Sequence, residues 1–276
     1  MTVNIFIGME KLITEDINRI SVLMGLTEEN NVGEFIDSTY LKTSDQAGIS
    51  DDETDVIIFD TINDAIRHNM KLVMIRPEYV SSARQFIDNK GANVLVGTVI
   101  GFPNGDTGQG AKMDEAIKAI QDGVDELDFV VDYKAFKNGD LDTVMKEVSE
   151  GTAIGIEDGK VVKWIIESAA LTSEQIAELT RLISKIVIET VGVEKARNVF
   201  VKTSTGFFKP EDGSPGGATI DAVSIMSQNA GPLQVKASGG IYSREDLDKM
   251  VDAGASRVGT SAGLEIIRGE KANTDY

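Results

Sequence analysis

The stretch VVKWIIES, residues 161–168, decides the fold. In an extended chain it sets Val162, Trp164 and Ile166 against Val161, Lys163, Ile165 and Glu167, because successive side chains of a strand face opposite sides. Seven more runs have the same Val/Ile/Phe-rich character: 34–41, 71–77, 94–102, 126–133, 198–204, 233–238 and 256–261. Longer amphipathic stretches separate them. Thr172 stands three residues before Gln175, a capping box that opens LTSEQIAELTRLISKIV as a helix. Ser243 opens REDLDKMVDAG, and Gly254 marks its stop. Eight strands alternating with helices over about 230 residues predict a single-domain parallel (β/α)8 TIM barrel. The barrel spans 31–276 with a C-terminal tail, and residues 1–30 form an extra N-terminal helical extension. Within 44–66, SDQAGISDDETDVIIFD reads as a polar turn followed by strand or helix, with Asp51, Asp52 and Glu53 in a solvated turn.

Composition narrows the function. The 276 residues hold 27 basic and 45 acidic side chains, a net charge of −18. That balance argues against nucleic acid and anionic membranes as partners while leaving room for a small local basic pocket. With no cysteine there is no thiol nucleophile, disulfide or thiolate metal site. The single histidine, His68, is expected to be a capping or surface residue rather than a catalyst or ligand, and no metal or cofactor is called for. No run has the length of a spanning helix, and the N-terminus lacks the order of a signal peptide, so a cytoplasmic protein is expected.

The charged residues fall on one strand parity. Lys163, Lys202, Lys236, Asp37, Asp128 and Glu167 share the side opposite the apolar residues of their runs. Helix-facing positions of a barrel are apolar, so these six point inward, several near the strand C-terminal ends where barrel enzymes place their sites. An ordinary lysine is almost wholly protonated at pH 7. Burial and a neighbouring ammonium lower its pKa until much of it is neutral amine, able to form a Schiff base with a carbonyl. A carboxylate such as Asp128 would move the protons. Trp164, of opposite parity, should pack beneath a helix.

A second signal concerns phosphate. Gly206, Gly239–Gly240 and Gly259–Gly263 follow the last three strands. Glycines let backbone N–H groups close on an anion, and these loops are the usual phosphate site of the architecture.

At these residues the chain resembles the deoxyribose-phosphate aldolases. The motifs FIDSTYLK (35–42), VGTVIGFPNG (96–105), DELDFVVDY (125–133), VVKWIIES (161–168), VKTSTGF (201–207), GGAT (216–219), VKASGGI (235–241) and VGTSAG (258–263) run nearly end to end. The resemblance implies a class I aldolase that reversibly cleaves 2-deoxyribose 5-phosphate to acetaldehyde and glyceraldehyde 3-phosphate. By the same resemblance Lys202 forms the Schiff base, Lys236 lowers its pKa and Asp128 is the acid working through a water. Lys163, Thr39, Asp37 and Thr203 would line the substrate site, and Gly206, Gly239, Gly240 and Ser261 would hold the phosphate. Tyr276 would assist proton transfer. The partners implied are phosphorylated sugars and aldehydes, in a homodimer or larger even homo-oligomer.

The chain departs from the family at three places. Ser38 stands where histidine is common, Met74 where cysteine is common, and FKPEDGSP (208–215) reads as an insertion beside the phosphate loop. Two other functions fit the same pattern: a Schiff-base aldolase for another phosphorylated sugar or keto acid, and a sugar-phosphate-binding barrel without catalysis.

Overall fold

The computed structural model describes residues 32–272, so the predicted N-terminal extension and Tyr276 lie outside the described residues. Eight parallel strands close in sequence order: β1 (Ile36–Thr39), β2 (Leu72–Ile75), β3 (Leu95–Ile100), β4 (Glu126–Val130), β5 (Val161–Ile165), β6 (Val199–Lys202), β7 (Gln234–Ser238) and β8 (Arg257–Thr260). β8 pairs back onto β1, and each strand lies within its predicted run. Ten helices are present among the described residues: α1 (Ser44–Ala47), α2 (Asp51–Arg67), α3 (Val80–Lys90), α4 (Gln109–Gln121), α5 (Tyr133–Lys137), α6 (Leu141–Glu157), α7 (Ser173–Ala196), α8 (Ile220–Asn229), α9 (Arg244–Asp252) and α10 (Gly263–Arg268).

The open stretch 44–66 is helical, and the solvated-turn reading of Asp51, Asp52 and Glu53 is corrected: they form the first turn of α2. Ser50 accepts from the Glu53 N–H at 3.2 Å while the Glu53 carboxylate accepts from the Ser50 N–H at 2.9 Å, a full capping box. Three acidic groups there also favour the positive end of the helix dipole. Thr43 caps α1, Thr172 caps α7 and Ser243 caps α9 by the same type of bond, the last two as predicted. His68 terminates α2.

Outward-facing strand residues carry the helix layer. Trp164 is fully buried, stacks on Phe129 with centroids 4.8 Å apart, and donates from Nε1 to Thr152 Oγ1 at 3.1 Å. A Cβ on Gly151 of α6 would lie 2.9 Å from the indole, so this glycine lets α6 seat directly on β4 and β5. Truncating Trp164 to alanine would cost about 3–5 kcal/mol. The end of β4 is fixed separately by Lys112 of α4 and Glu147 of α6, both buried. Lys112 Nζ donates to Val130 O at 2.9 Å and pairs with Glu147 Oε2 at 2.5 Å, while Glu147 Oε1 accepts from the Asp132 N–H at 2.7 Å. No helix among the described residues is long and apolar enough to cross a membrane.

Candidate active site

Seven charged side chains meet inside the barrel. Strand register sets Asp128 beside Lys163, Lys202 beside Lys236, and Lys236 beside Arg257. Asp128 stands at the centre: its Oδ2 accepts from Lys202 and from Lys236, each at 2.9 Å, and its Oδ1 from Lys163 at 2.7 Å. Below it, Asp37 pairs with Lys236 at 2.6 Å and accepts from Arg257 Nε at 2.8 Å. Glu126 binds Lys163 and, at 3.3 Å, Arg257. Lys163, Lys202, Lys236 and Arg257 thus face Asp37, Glu126 and Asp128, four cations against three carboxylates.

Buried charge needs compensation, and this cluster is one anion short. Burial alone would raise Asp128, but the ammonium groups of Lys163, Lys202 and Lys236 hold it well below the usual carboxylate range. Burial likewise opposes Asp37, yet Lys236, Arg257 and Lys163 lower it to about 2. Lys163 is raised, because Asp128, Glu126 and Asp37 outweigh its desolvation. Lys202 goes the other way. Burial lowers it to about 8, assisted by Lys236 and opposed by Asp128. At pH 7 about one molecule in ten then carries a neutral Lys202 amine.

A cavity of about 300 Å³ opens over the C-terminal ends of β6, β7, β8 and β1. Of the seven-member cluster only Lys202 reaches its lining. Thr39 also lines it, as do Gly206, Gly239, Gly240 and Ser261, the four residues assigned to phosphate. The walls are tightly joined: a Cβ on Gly217 would lie 2.4 Å from Gly239 O, and the Ala218 N–H donates to Ser238 O at 3.0 Å. Side chains at positions 217 and 239 would push the loops after β6 and β7 apart. Among the described residues the lining contains Lys202 and Lys209 and no Asp or Glu, a local reversal of the charge of a −18 chain.

Glu167 is buried at the end of β5, with backbone in the left-handed region (φ 52°). Its Oε2 accepts from the Thr205 hydroxyl and N–H, tying β5 to the loop after Lys202, and its Oε1 has no hydrogen-bond partner among the described residues. Burial pushes this carboxyl up to about 7 against those bonds and the attraction of Lys202.

The site is thus a lysine whose pKa is lowered to about 8 at the floor of a cationic cavity, at the C-terminal end of a (β/α)8 barrel. The sequence pattern of the DeoC/LacD family aldolases matches residues 39–269. The chain belongs to that aldolase family. Among curated members of the aldolase family, deoxyribose-phosphate aldolase of Staphylococcus haemolyticus is 39% identical over 247 residues, covering 89% of this chain and 100% of the relative. The enzyme of that name from Thermococcus gammatolerans is 37% identical over 242 residues, covering 87% and 97%. A solved putative deoxyribose-phosphate aldolase from Coccidioides immitis superposes with TM-score 0.71 at 32% identity, covering 88% of this chain and 86% of its own. The tetrameric deoxyribose phosphate aldolase of Aeropyrum pernix gives 0.66 at 26% identity, covering 85% and 88%.

The predicted site residues divide by depth. Lys202, Thr39, Gly206, Gly239, Gly240 and Ser261 line the aldolase cavity. Lys236, Asp128, Lys163 and Asp37 lie beneath it as a fully buried support. Thr203 is set apart: its hydroxyl donates to Ser238 O at 3.2 Å and accepts from the Ser238 N–H at 3.0 Å, joining β6 to β7. Two members of the cluster, Glu126 and Arg257, were not singled out from the sequence. Arg257 shares its strand parity with Gly259 and Ser261, so the alternation applied to the other strands would have found it.

Proposed function

We propose that this aldolase reversibly cleaves 2-deoxyribose 5-phosphate to acetaldehyde and glyceraldehyde 3-phosphate through a Schiff base on Lys202. The observation that carries the reading is that Lys202 alone among the clustered charges borders the cavity while sharing one carboxylate oxygen with Lys236. The names of the relatives supply the substrate.

Neutral Lys202 Nζ attacks the C1 aldehyde of the open-chain sugar, giving a carbinolamine that loses water to form a protonated imine. Removal of the C3 hydroxyl proton lets the C2–C3 bond break, its electron pair moving into the iminium to leave an enamine. Glyceraldehyde 3-phosphate departs, the enamine carbon takes a proton, and water hydrolyses the imine to release acetaldehyde and free amine. Asp128, ionised and bonded to Lys202, is the acid–base group for carbinolamine dehydration. The Lys236 side chain beside the amine lowers the pKa of Lys202 by its charge and so favours the neutral form. Gly206, Gly239, Gly240 and Ser261 take the phosphate. Support for an anionic substrate comes from the lining, which has two lysines and no acid among the described residues. The active form is an even homo-oligomer, checked by light scattering during size-exclusion chromatography; a relative of known structure is described as tetrameric.

The test is borohydride reduction with 2-deoxyribose 5-phosphate followed by peptide mass mapping. A two-carbon or sugar adduct on Lys202, formed only with substrate, is the expected result. An adduct on Lys163 or Lys236 would reassign the roles, and a folded, unlabelled protein that binds the sugar phosphate would replace the enzyme with a binding barrel.

A further inference from the structure

We infer that Lys209, carried by the inserted segment 208–215, is a specificity-determining residue whose ammonium holds the substrate's phosphate and makes the site prefer phosphorylated sugars. The inference rests on the aldolase reading for its substrate and on the cavity for its chemistry.

Lys202 and Lys209 are the two cations of the lining among the described residues. Lys202 is bonded to Asp128 at 2.9 Å and buried at the floor, where a carbonyl would meet it. That leaves Lys209 as the exposed cation at the rim, and it makes no ion pair among the described residues. Its position is set by the base of the insertion rather than its tip. A Cβ on Gly216 would lie 2.0 Å from Phe208 O, so the two ends of the segment touch, and the Phe208 ring rests edge-on against Tyr133 with centroids 6.4 Å apart. Lys209 therefore leaves a fixed point beside the wall formed by Gly217 and Gly239. The two acids of the segment, Glu211 and Asp212, do not border the cavity, and Asp212 Oδ1 is folded into its own turn by the Ser214 N–H at 2.9 Å.

Backbone N–H groups and the Ser261 hydroxyl recognise a phosphate's oxygens, but carry no net charge against its two negative ones. In a chain of net charge −18, one unpaired ammonium at the rim supplies that charge where the dianion enters. Neither Gly206 nor the Gly239–Gly240 pair can do so.

The experiment compares Lys209→Ala and Lys209→Arg with the natural chain on 2-deoxyribose 5-phosphate and on 2-deoxyribose. For Lys209→Ala the ratio of kcat/KM between the two sugars should fall about tenfold, through KM of the phosphorylated one, the size expected of a solvent-exposed charge-assisted contact. Lys209→Arg should keep most of the ratio. An unchanged ratio, or a fall through kcat alone, would overturn the inference. If the natural chain turns over neither sugar, the aldolase reading fails, and calorimetric binding of inorganic phosphate decides the role of Lys209 by itself. Weaker phosphate binding by Lys209→Ala would support it, and equal or absent binding in both proteins would overturn it.

Discussion

Lys112 and Lys202 are both buried lysines bonded to a buried carboxylate, one between helices and strand, the other inside the barrel. Their surroundings differ in stoichiometry. Lys112 has its own partner, Glu147, and a backbone carbonyl. Lys202 shares Asp128 with two other lysines, in a cluster where cations exceed carboxylates by one. Burial alone does not single out a reactive amine: Lys112 is as buried as Lys202, but its charge is matched by a carboxylate of its own. The excess cation is the one that can release its proton. Of the four, Lys202 is the one at the cavity, and its pKa is lowered.

The largest effect that sharpens this contrast is Lys202→Met. It should abolish turnover, beyond the ~10⁴-fold range of an ordinary assay, because no other cluster amine borders the cavity. Thermal stability should not fall. Keeping Lys202 from its ordinary 10.5 at about 8 means the unfolded chain binds more protons between those values, so stability rises with pH across that window. Below pH 8 the charged lysine therefore costs about 3 kcal/mol, and its removal leaves three cations against three carboxylates. Lys112→Met should do the converse. Leaving Glu147 buried without its cation, and with only the Asp132 N–H as a partner among the described residues, costs about 3–5 kcal/mol of stability, measured by denaturant unfolding, while activity per folded molecule falls far less than in Lys202→Met. If Lys202→Met lowered stability as much as Lys112→Met, the excess-charge account would be wrong.

Lys236→Leu tests the source of the excess. With that ammonium gone, the negative charges of Asp128 and Asp37 act on Lys202 less opposed, and its pKa returns toward its ordinary value. Burial still holds the amine down, so activity at pH 7 should fall about tenfold, most of it recovered as pH rises past 9. In the natural protein, kcat/KM should climb with pH and level above about 8, the value of Lys202. A profile of the variant parallel to the natural one at every pH would show that Lys236 acts by some means other than charge.

The barrel was legible because strands announce themselves by alternation, and alternation also says which side each charge faces. Lys163, Lys202, Lys236, Asp37 and Asp128 were drawn together by parity alone, and they meet within hydrogen-bond or ion-pair distance. What alternation leaves open is depth. It cannot tell that Thr203 is spent on Ser238, or that Lys163 and Asp37 sit a layer below the cavity, because both follow from how the strands stagger. The 44–66 stretch was ambiguous because VIIF looks like strand in isolation. The Ser50–Glu53 capping box that resolves it lies in the preceding run of acids. Lys209 could be placed in an insertion, but not at a cavity rim, since that depends on Gly216 closing against Phe208.

Glu167 and Asp128 extend the contrast to carboxylates. Both are buried near Lys202, Asp128 in the middle of β4 and Glu167 just past the end of β5. Asp128 is surrounded by ammonium groups and stays ionised, whereas Glu167 is held by the Thr205 hydroxyl and N–H and rises to about 7. A carboxyl raised from 4.5 to about 7 is charged in the unfolded chain before the folded one. Stability is therefore lost as pH rises through that window, and the cost is complete above it. Glu167→Gln keeps an acceptor for Thr205 and cannot ionise. It should gain about 2 kcal/mol relative to the natural protein on going from pH 5 to pH 8, read from denaturant midpoints at the two values. Its activity should fall only a few-fold, since Thr205 and the loop after Lys202 remain tied. A variant whose stability tracks the natural protein at both pH values would mean that Glu167 stays ionised in the fold. Lys202 would then face a second negative charge already at pH 5, where a carboxyl raised to about 7 leaves it answering to Asp128 alone.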